Sequence, residues 1–302
     1  MIDALVHVSI LVILPPLLIG AINKTKALFA GRRGPPLLQA YYDIAKLLRK
    51  GLVVSSTTTW IFRAGPAVTA AAVFIAGLLV PFGAHGAPVS FAGDMILFAY
   101  LFGLSRFFTT AAALDTGSAF EGMGAAREAT FACLSEPALF LALLALSRES
   151  GSLDLSGMLE SGSIGLLTPT TAPLVLVALG LFIVLLAETC RVPVDDPATH
   201  LELTMIHEVM VLDHGGPLLG AVLYAQAQKL LVLGAVLLHL VAPFGTGLSW
   251  LDWLLFAAES LALAFVLGVL ESAIARLRMR RVPFLLTGAL LLCGSGFILM
   301  VR

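Results

Sequence analysis

The sequence predicts an all-α integral membrane protein with about eight transmembrane helices plus an amphipathic cytoplasmic helix in the first connector, built as a single membrane domain over residues 1–302. Composition is the first reason. Hydrophobic residues make up 59% of the chain and charged residues 12%, with mean hydropathy +0.99, against about 25% charged residues in an ordinary soluble domain. Length is the second: apolar runs of about 20 residues recur, and at about 1.5 Å per residue each crosses a hydrocarbon core of about 30 Å. Period is the third. A barrel strand in lipid alternates polar and apolar residues, whereas these runs are apolar on every side, so helices are left to satisfy the backbone.

The first span is read at Ile2–Ile22, with no basic stretch ahead of it and no small-residue cleavage site, hence a retained helix rather than a secretory signal. The others are read at Pro66–Phe82, Asp94–Leu114, Ala129–Leu146, Pro173–Glu188, Pro217–Ala242, Leu251–Glu271 and Pro283–Val301. The first connector is roughly forty residues long, too long for a tight turn and too apolar for disorder. Within it Leu37, Leu38, Tyr41, Tyr42, Ile44, Ala45, Leu47 and Leu48 recur at helical spacing against Lys46, Arg49 and Lys50. This is the pattern of a helix lying on the membrane surface, and Gly34-Pro35-Pro36 marks its start. Asp115–Glu128 is read as a glycine-rich connector leading into the fourth span, and Ser147–Pro169 as a polar loop with no assigned function.

Basic residues set the orientation. Lys24, Lys26, Arg32, Arg33, Lys46, Arg49, Lys50 and Arg63 fall in or beside the first connector, Arg127 in the third, Arg191 in the fifth, and Arg276, Arg278, Arg280 and Arg281 in the seventh. The positive-inside rule makes that side cytoplasmic, so both termini of this multi-pass chain face outward from a cytoplasmic (inner) membrane. The net charge of −1 is segregated by side, and nothing implies nucleic-acid binding.

The fifth connector is the anomaly. From Ala187 to Glu208 the sequence AETCRVPVDDPATHLELTMIHE forms a polar island between two apolar runs, far richer in carboxylates and histidines than a connector needs. Pro193 and Pro197 preclude one continuous helix, while Asp195-Asp196 before Pro197 can cap a new helix from about Ala198. If that helix runs on, His200, His207 and His214 share one face, expected to be the wall of a polar cavity or a surface for a partner. Seven-residue spacing separates them by about 10 Å, too far for one metal.

Arg106, Glu136, Glu188, Lys229, His239 and Glu259 lie inside spans, where a charge costs about 2.5–3.5 kcal/mol even on a lenient scale, so each is expected to face protein or water. Arg106 has a carboxylate partner as its simplest explanation. Together these residues suggest a titratable ladder leading inward from the island, hence a proton or water path. Cys133, Cys190 and Cys293 have no metal-ligand spacing, so neither an iron–sulfur cluster nor a structural zinc is expected, and any redox cofactor belongs to a partner. The chain carries no nucleophile–base pairing, P-loop or dinucleotide fingerprint. It is not expected to be an enzyme on its own.

Glu188-Thr189-Cys190-Arg191-Val192-Pro193-Val194-Asp195-Asp196-Pro197, followed by Glu202-Leu203 and Glu208, resembles the E-T-x-R-x-P-(F/V)-D-x-P…E-L…E signature of subunit 1, the eight-helix membrane subunit at the heel of respiratory complex I. Gly34-Pro35 with Leu38-Gln39 and Asp43…Lys46-Leu47-Leu48 resembles that family's first cytoplasmic connector, and Gly122…Arg127 with Ser135-Glu136 its third. The GRRGPPLLQ, SRFFTTAAALDTGSAFEGMGAARE and THLELTMIHEVMVLDH segments are most similar to the branch found in formate hydrogenlyase and hydrogenase-4 type complexes, which are energy-converting nickel–iron hydrogenases. The R-x-G-P-N-R element of the quinone-type members is replaced here, since Pro36 follows Gly34-Pro35.

The resemblance implies a non-catalytic membrane-anchor and coupling subunit that links redox chemistry on peripheral subunits to proton or ion translocation. Its expected partners are the hydrogenase large and small subunits, which carry the nickel–iron (NiFe) centre and iron–sulfur clusters, together with antiporter-like membrane subunits and the lipid bilayer. Glu136, Glu188, Glu202 and Glu208 match the family's acidic cavity and channel positions; Lys229 and Glu259 join the expected proton path by depth alone. Arg127, Arg191 and Asp195 match its cytoplasmic motif, and with Arg33, Asp43, Asp115, Glu128, Asp196, His200 and His207 they form the expected partner interface. Two alternatives stay open: a quinone-site subunit 1 of a NADH-quinone oxidoreductase-like complex, and a stand-alone secondary transporter. The second commonly shows paired halves, and no internal repeat is evident.

Overall fold

A computed structural model describes residues 2–161, 171–195, 205–242 and 245–301. Among them ten α-helices run in order: α1 Ile2–Phe29, α2 Gln39–Leu48, α3 Trp60–Leu79, α4 Asp94–Asp115, α5 Ala119–Ser150, α6 Leu155–Ser161, α7 Thr171–Glu188, α8 Gly216–Val241, α9 Ser249–Ala273 and α10 Val282–Val301. All but α2 and α6 are long and apolar enough to cross a membrane, which makes eight spans. Strand pairing among the described residues is limited to one isolated bridge, Phe82 to His85.

Three boundaries differ from the sequence reading by more than five residues, each for a local reason. α3 starts at Trp60 rather than Pro66, because Asp115 accepts from the backbone N–H groups of Thr59 (2.7 Å) and Phe62 (3.3 Å) and so satisfies the free donors of its first turn. α5 starts at Ala119, ten residues before the expected span, so the glycine-rich stretch is helical. Gly124 lies where a Cβ would meet Val209 at 2.4 Å and the Ile206 carbonyl oxygen at 3.0 Å, and the absent side chain lets the island pack on the helix. α1 runs seven residues past Ile22, held by Lys26, whose Nζ is 2.8 Å from Glu271 Oε2 on α9.

The helix expected from about Ala198 starts outside the described residues, and it is not continued from Met205 onward. Asp196, His200 and Glu202 lie outside the described residues. Past them the chain makes a short 3-10 turn, Glu208–Val211, and His207 and His214 both point inward. His214 is buried against Phe62, with ring centroids 4.0 Å apart, and His207 reaches Glu128 and Asp195. Their polar rings find partners inside the protein, which removes the reason for an outward face.

Four connectors meet at one end of the bundle. The Asp213 N–H donates to Glu121, Arg127 Nη1 to the Met205 carbonyl (2.7 Å), the Leu277 N–H to the Pro193 carbonyl (3.0 Å), and the Gly216 backbone lies against Gly51. The opposite end gathers the connectors after α3 and α5, where Asp94 Oδ1 accepts from the Leu155 N–H (2.7 Å) and caps α6. The two sets of connectors expected on opposite faces are therefore separated in space. α2 lies across α1 and α8 at the island end with no buried residue, and it leaves Leu38, Tyr42 and Leu48 exposed, as a surface helix in lipid requires.

Small residues set the helix packing, as expected where lipid supplies no hydrophobic drive. On α7 a Cβ at Gly180 would lie 2.3 Å from Cys293 Sγ and 3.1 Å from the Ala289 carbonyl of α10. Gly180→Ala is expected to destabilise the chain in detergent by about 1–3 kcal/mol. Combining it with Cys293→Ala should recover part of that loss, which thermal unfolding of the two single variants and the double variant would measure.

Candidate functional site

The site is built outward from one buried cation. Arg106 sits two turns before the island-side end of α4, 7% exposed, in a position where a lone guanidinium would be untenable. α5 brings it two carboxylates: Glu128 and Glu136 are eight residues apart, so both fall on the same side of that helix about 12 Å apart along its axis. Arg106 Nε donates to Glu128 Oε1 at 2.9 Å and Nη1 donates to Glu136. From the end of α7, Glu188 accepts from Nη2, so the planar fork of the guanidinium holds three carboxylates at once.

Two of the three carboxylates, Glu188 and Glu128, then recruit further partners. Glu188 Oε1 accepts from Ser135 Oγ (3.0 Å), and its Oε2 accepts from Lys229 Nζ of α8 (3.1 Å). Lys229 Nζ also lies 5.4 Å from the centroid of the Phe102 ring. Glu128 Oε2 is 3.0 Å from His207 Nε2, and His207 Nδ1 is 3.4 Å from Asp195 Oδ2. Asp195 also accepts from Arg276 Nη2 (3.0 Å) and from the N–H groups of Ile206 and His207. The result is an unbroken alternation of charge from Arg276 through Asp195, His207, Glu128, Arg106 and Glu188 to Lys229. A polar cavity of about 40 Å³ lies along it, walled by Arg106, Glu128, Glu188, Cys190, His207 and Lys229. That is room for one or two waters.

Electrostatics at the island end follow from this packing. Burial works against a charged His207 ring, but Cys190, Glu128 and Asp195 outweigh it and hold its pKa well above the ordinary 6.5. Burial would raise the Asp195 carboxyl, yet His207 and Arg276 hold it below the usual carboxylate range. With His207 protonated, its charge and those of Arg106 and Lys229 balance Glu128, Glu136 and Glu188. Arg191 is buried beside this chain and pairs with Glu271 (3.3 Å), which also binds Lys26, so the island motif is tied to α9 and α1.

The comparisons with known proteins bear on this arrangement. The family model described as NADH dehydrogenase matches residues 2–301. The chain belongs to that family. It is 32% identical over 242 residues to hydrogenase-4 component C of Escherichia coli, covering 80% of this chain and 75% of that protein. It is 30% identical over 294 residues to formate hydrogenlyase subunit 4 of the same organism, covering 97% and 94%. Among solved structures it shares its fold with a chain of the membrane-bound sulfane sulfur reductase, an archaeal respiratory membrane complex, at TM-score 0.84 and 21% identity over 99% of this chain and 98% of that one. This family member is thus a multi-pass membrane protein whose relatives are membrane subunits of multi-subunit complexes.

Of the residues singled out in the sequence, Glu136, Glu188, Lys229, Glu128, Asp195 and His207 come together in the charge chain. The side chains of the last three, expected at the partner interface, are turned into the protein, and Glu128 and His207 line the cavity. Arg106 belongs at the centre, and its depth among carboxylates was the available signal. Arg276 could not be foreseen, because its link to Asp195 joins two connectors 81 positions apart. Arg127 and Arg191 serve the island by holding the Met205 carbonyl and Glu271. Glu208 begins the 3-10 turn. Asp115 caps α3, while Asp43 accepts from Gln39 Nε2 (2.8 Å) and Arg33 is exposed on the first connector. Glu259 is apart from the chain, on the wall of a cavity at the other end of the bundle.

Removing the central cation leaves three carboxylates without their shared partner. Arg106→Gln should cost about 3–5 kcal/mol and sharply lower the yield of folded protein, with part of the loss recovered by adding Glu128→Gln. The stability that protonated His207 contributes is fully present below pH 6.5 and is lost as pH rises through its elevated folded value. The contribution of Asp195 is present above the ordinary carboxyl pKa and is lost as pH falls through its lowered folded value. Amide exchange over residues 205–215 should therefore be slowest between those limits, and the alkaline loss should disappear in His207→Gln.

Proposed function

We propose that the chain is the membrane-anchor and coupling subunit of a membrane-bound hydrogenase complex of the hydrogenase-4 or formate hydrogenlyase type. In this reading it is non-catalytic, it docks the hydrogenase large and small subunits at the island, and the NiFe centre and iron–sulfur clusters belong to those partners. The observation that carries the reading is the continuous alternation of charge from Asp195 on the island to Arg106 and Lys229 in the membrane. A change of charge or position at the island is felt along such a chain, because each ion is held against a neighbour of opposite charge. Glu136 extends the cluster sideways: its side chain is 49% exposed between α4 and α5, where an antiporter-like membrane subunit would sit. The likeness to a hydrogenase-4 component and a formate hydrogenlyase subunit supports the assignment, as does the basic island end, which under the positive-inside rule faces the cytoplasm across an inner membrane.

One observation favours a second reading, a quinone-site subunit. A cavity of about 330 Å³ lies under α2, with Pro16, Ile19, Ile44 and Leu223 among its apolar walls and Asn23, Lys26, Gln39, Asp43, Thr189, Arg191 and Gln226 as its polar groups. Apolar residues beside a polar group set that includes Lys26 and Arg191 suit an amphiphile with a polar headgroup and an apolar tail. Co-purification separates the two: nickel and iron–sulfur subunits isolated with the chain support the hydrogenase assignment, and bound quinone supports the alternative.

The coupling role has its own test. Glu188→Gln and Glu136→Gln keep the size of the side chain and should leave the complex assembled with its redox turnover retained, while ion movement per turnover in proteoliposomes falls. Unchanged ion movement in both well-assembled variants would remove the charge chain from the coupling path.

A further inference from the structure

At the end of the bundle away from the island lies a cavity of about 260 Å³, large enough for several waters at about 30 Å³ each. Its walls include Ala84 and His85 from the connector after α3, Gly245 from the connector after α8, and Glu160 of α6. Its deep end is formed by Leu238 and His239 of α8 and by Phe256 and Glu259 of α9. Glu259 is ten residues into α9, about 15 Å from its start, and therefore near mid-bilayer. Its Oε1 is buried without a hydrogen-bond partner, an expensive condition for a carboxylate unless water or a proton reaches it.

His239 adds a second observation. Its Nδ1 is 2.8 Å from the Ala235 carbonyl oxygen and its Nε2 is 2.9 Å from the Gly83 carbonyl oxygen. Both neighbours only accept, and a neutral imidazole has one N–H, so one contact is satisfied only when the ring takes a second proton. The wall of the cavity thus holds a histidine that, when neutral, leaves one of its two carbonyl contacts without a donor.

Toward the island the route closes. Leu238 is shared with a second void of about 10 Å³ beside Gly234 and the unpartnered Ser260 Oγ, room for a single water. Leu230 and Leu231, which line that void, and Leu233 are buried on α8 directly after Lys229.

We propose that this cavity is an aqueous inlet from the face opposite the island, through which the Glu259 carboxylate takes a proton from water and returns it, and that the buried leucines of α8 keep this exchange apart from the Arg106 cluster. The titratable groups around Glu259 are His85, Glu160 and His239 on the cavity wall and Asp252 on its own helix. The Asp252 carboxylate accepts from Thr246 N and Oγ1, both at 2.6 Å. From α1, His7 faces Phe82 and contacts the Gly77 carbonyl. The inference deepens the coupling reading by giving it an outer proton site, but proton access is measured without turnover and so stands or falls separately.

The test uses the assembled complex in sealed membrane vesicles, with pH set independently on the two sides. Cysteines introduced at Ser55 and Arg280 report which side carries the island. Dicyclohexylcarbodiimide, which reacts with protonated carboxyls, is added, and the adduct on Glu259 is followed by peptide mass. The expected result is loss of the adduct as pH is raised on the side opposite the island, with no response to pH on the island side. Dependence on the island-side pH, dependence on neither side, or no adduct overturns the proposal. A chain carrying Ala242→Cys, on the cavity wall, should lose the adduct when a bulky impermeant maleimide is applied from the outer side; an undiminished adduct on the labelled chain rules out the cavity as the route.

Discussion

Arg106 is the constraint around which the rest of the site is arranged. A guanidinium cannot shed its charge, and in the inner part of a bilayer it persists only if its donors are matched by acceptors of opposite charge. Meeting that need brings α5 against α4 through Glu128 and Glu136, and the end of α7 against both through Glu188. These carboxylates are in turn too costly to bury with one shared cation. Lys229 therefore comes in from α8 and His207 from the island. One charge thus fixes the relative placement of four helices and a connector, and it explains why the island is polar: its side chains complete an electrostatic balance that the membrane cannot supply.

The same balance makes the chain suitable for transmitting a signal. Buried ion pairs are weak contributors to net stability, because desolvation offsets most of the attraction, but removal or neutralisation of one member is strongly felt by its neighbours. Asp195 stands where the island meets this system, bound to Arg276 on one side and His207 on the other, while Arg191 and Lys26 converge on Glu271 nearby. A partner seated on the island would press on residues that are one ion pair away from Glu128. At the far end of the bundle, α8 carries His239 ten residues beyond Lys229, about 15 Å along the same helix, with apolar side chains between them. Polar groups at both ends with a dry middle are what separate access from two sides requires.

Sequence alone determined the class of fold, the eight spans, the surface helix and the family, because each rests on composition, run length or local spacing. Hydrophobicity over about 20 residues decides whether a segment enters lipid, whatever its neighbours do. The depth of Arg106, Glu136, Glu188, Lys229 and Glu259 was equally legible, since depth follows from position within a span. Element ends were less so, because the start of α3 depends on Asp115, which is 56 positions away from Thr59.

Only the tertiary structure decided which charges meet. His207 and Glu128 looked like surface residues because the sequence places them in connectors, yet one lies on an extension of α5 and the other turns inward to reach it. Glu259, similar to Glu188 in type and read as part of the same ladder, belongs to a cavity at the other end. An ion pair forms through distances of about 3 Å between side chains on separate helices, and spacing along the chain carries no record of them. Sequence could name the titratable groups in the membrane; packing divided them into a connected chain at the island end and a separate cavity at the other.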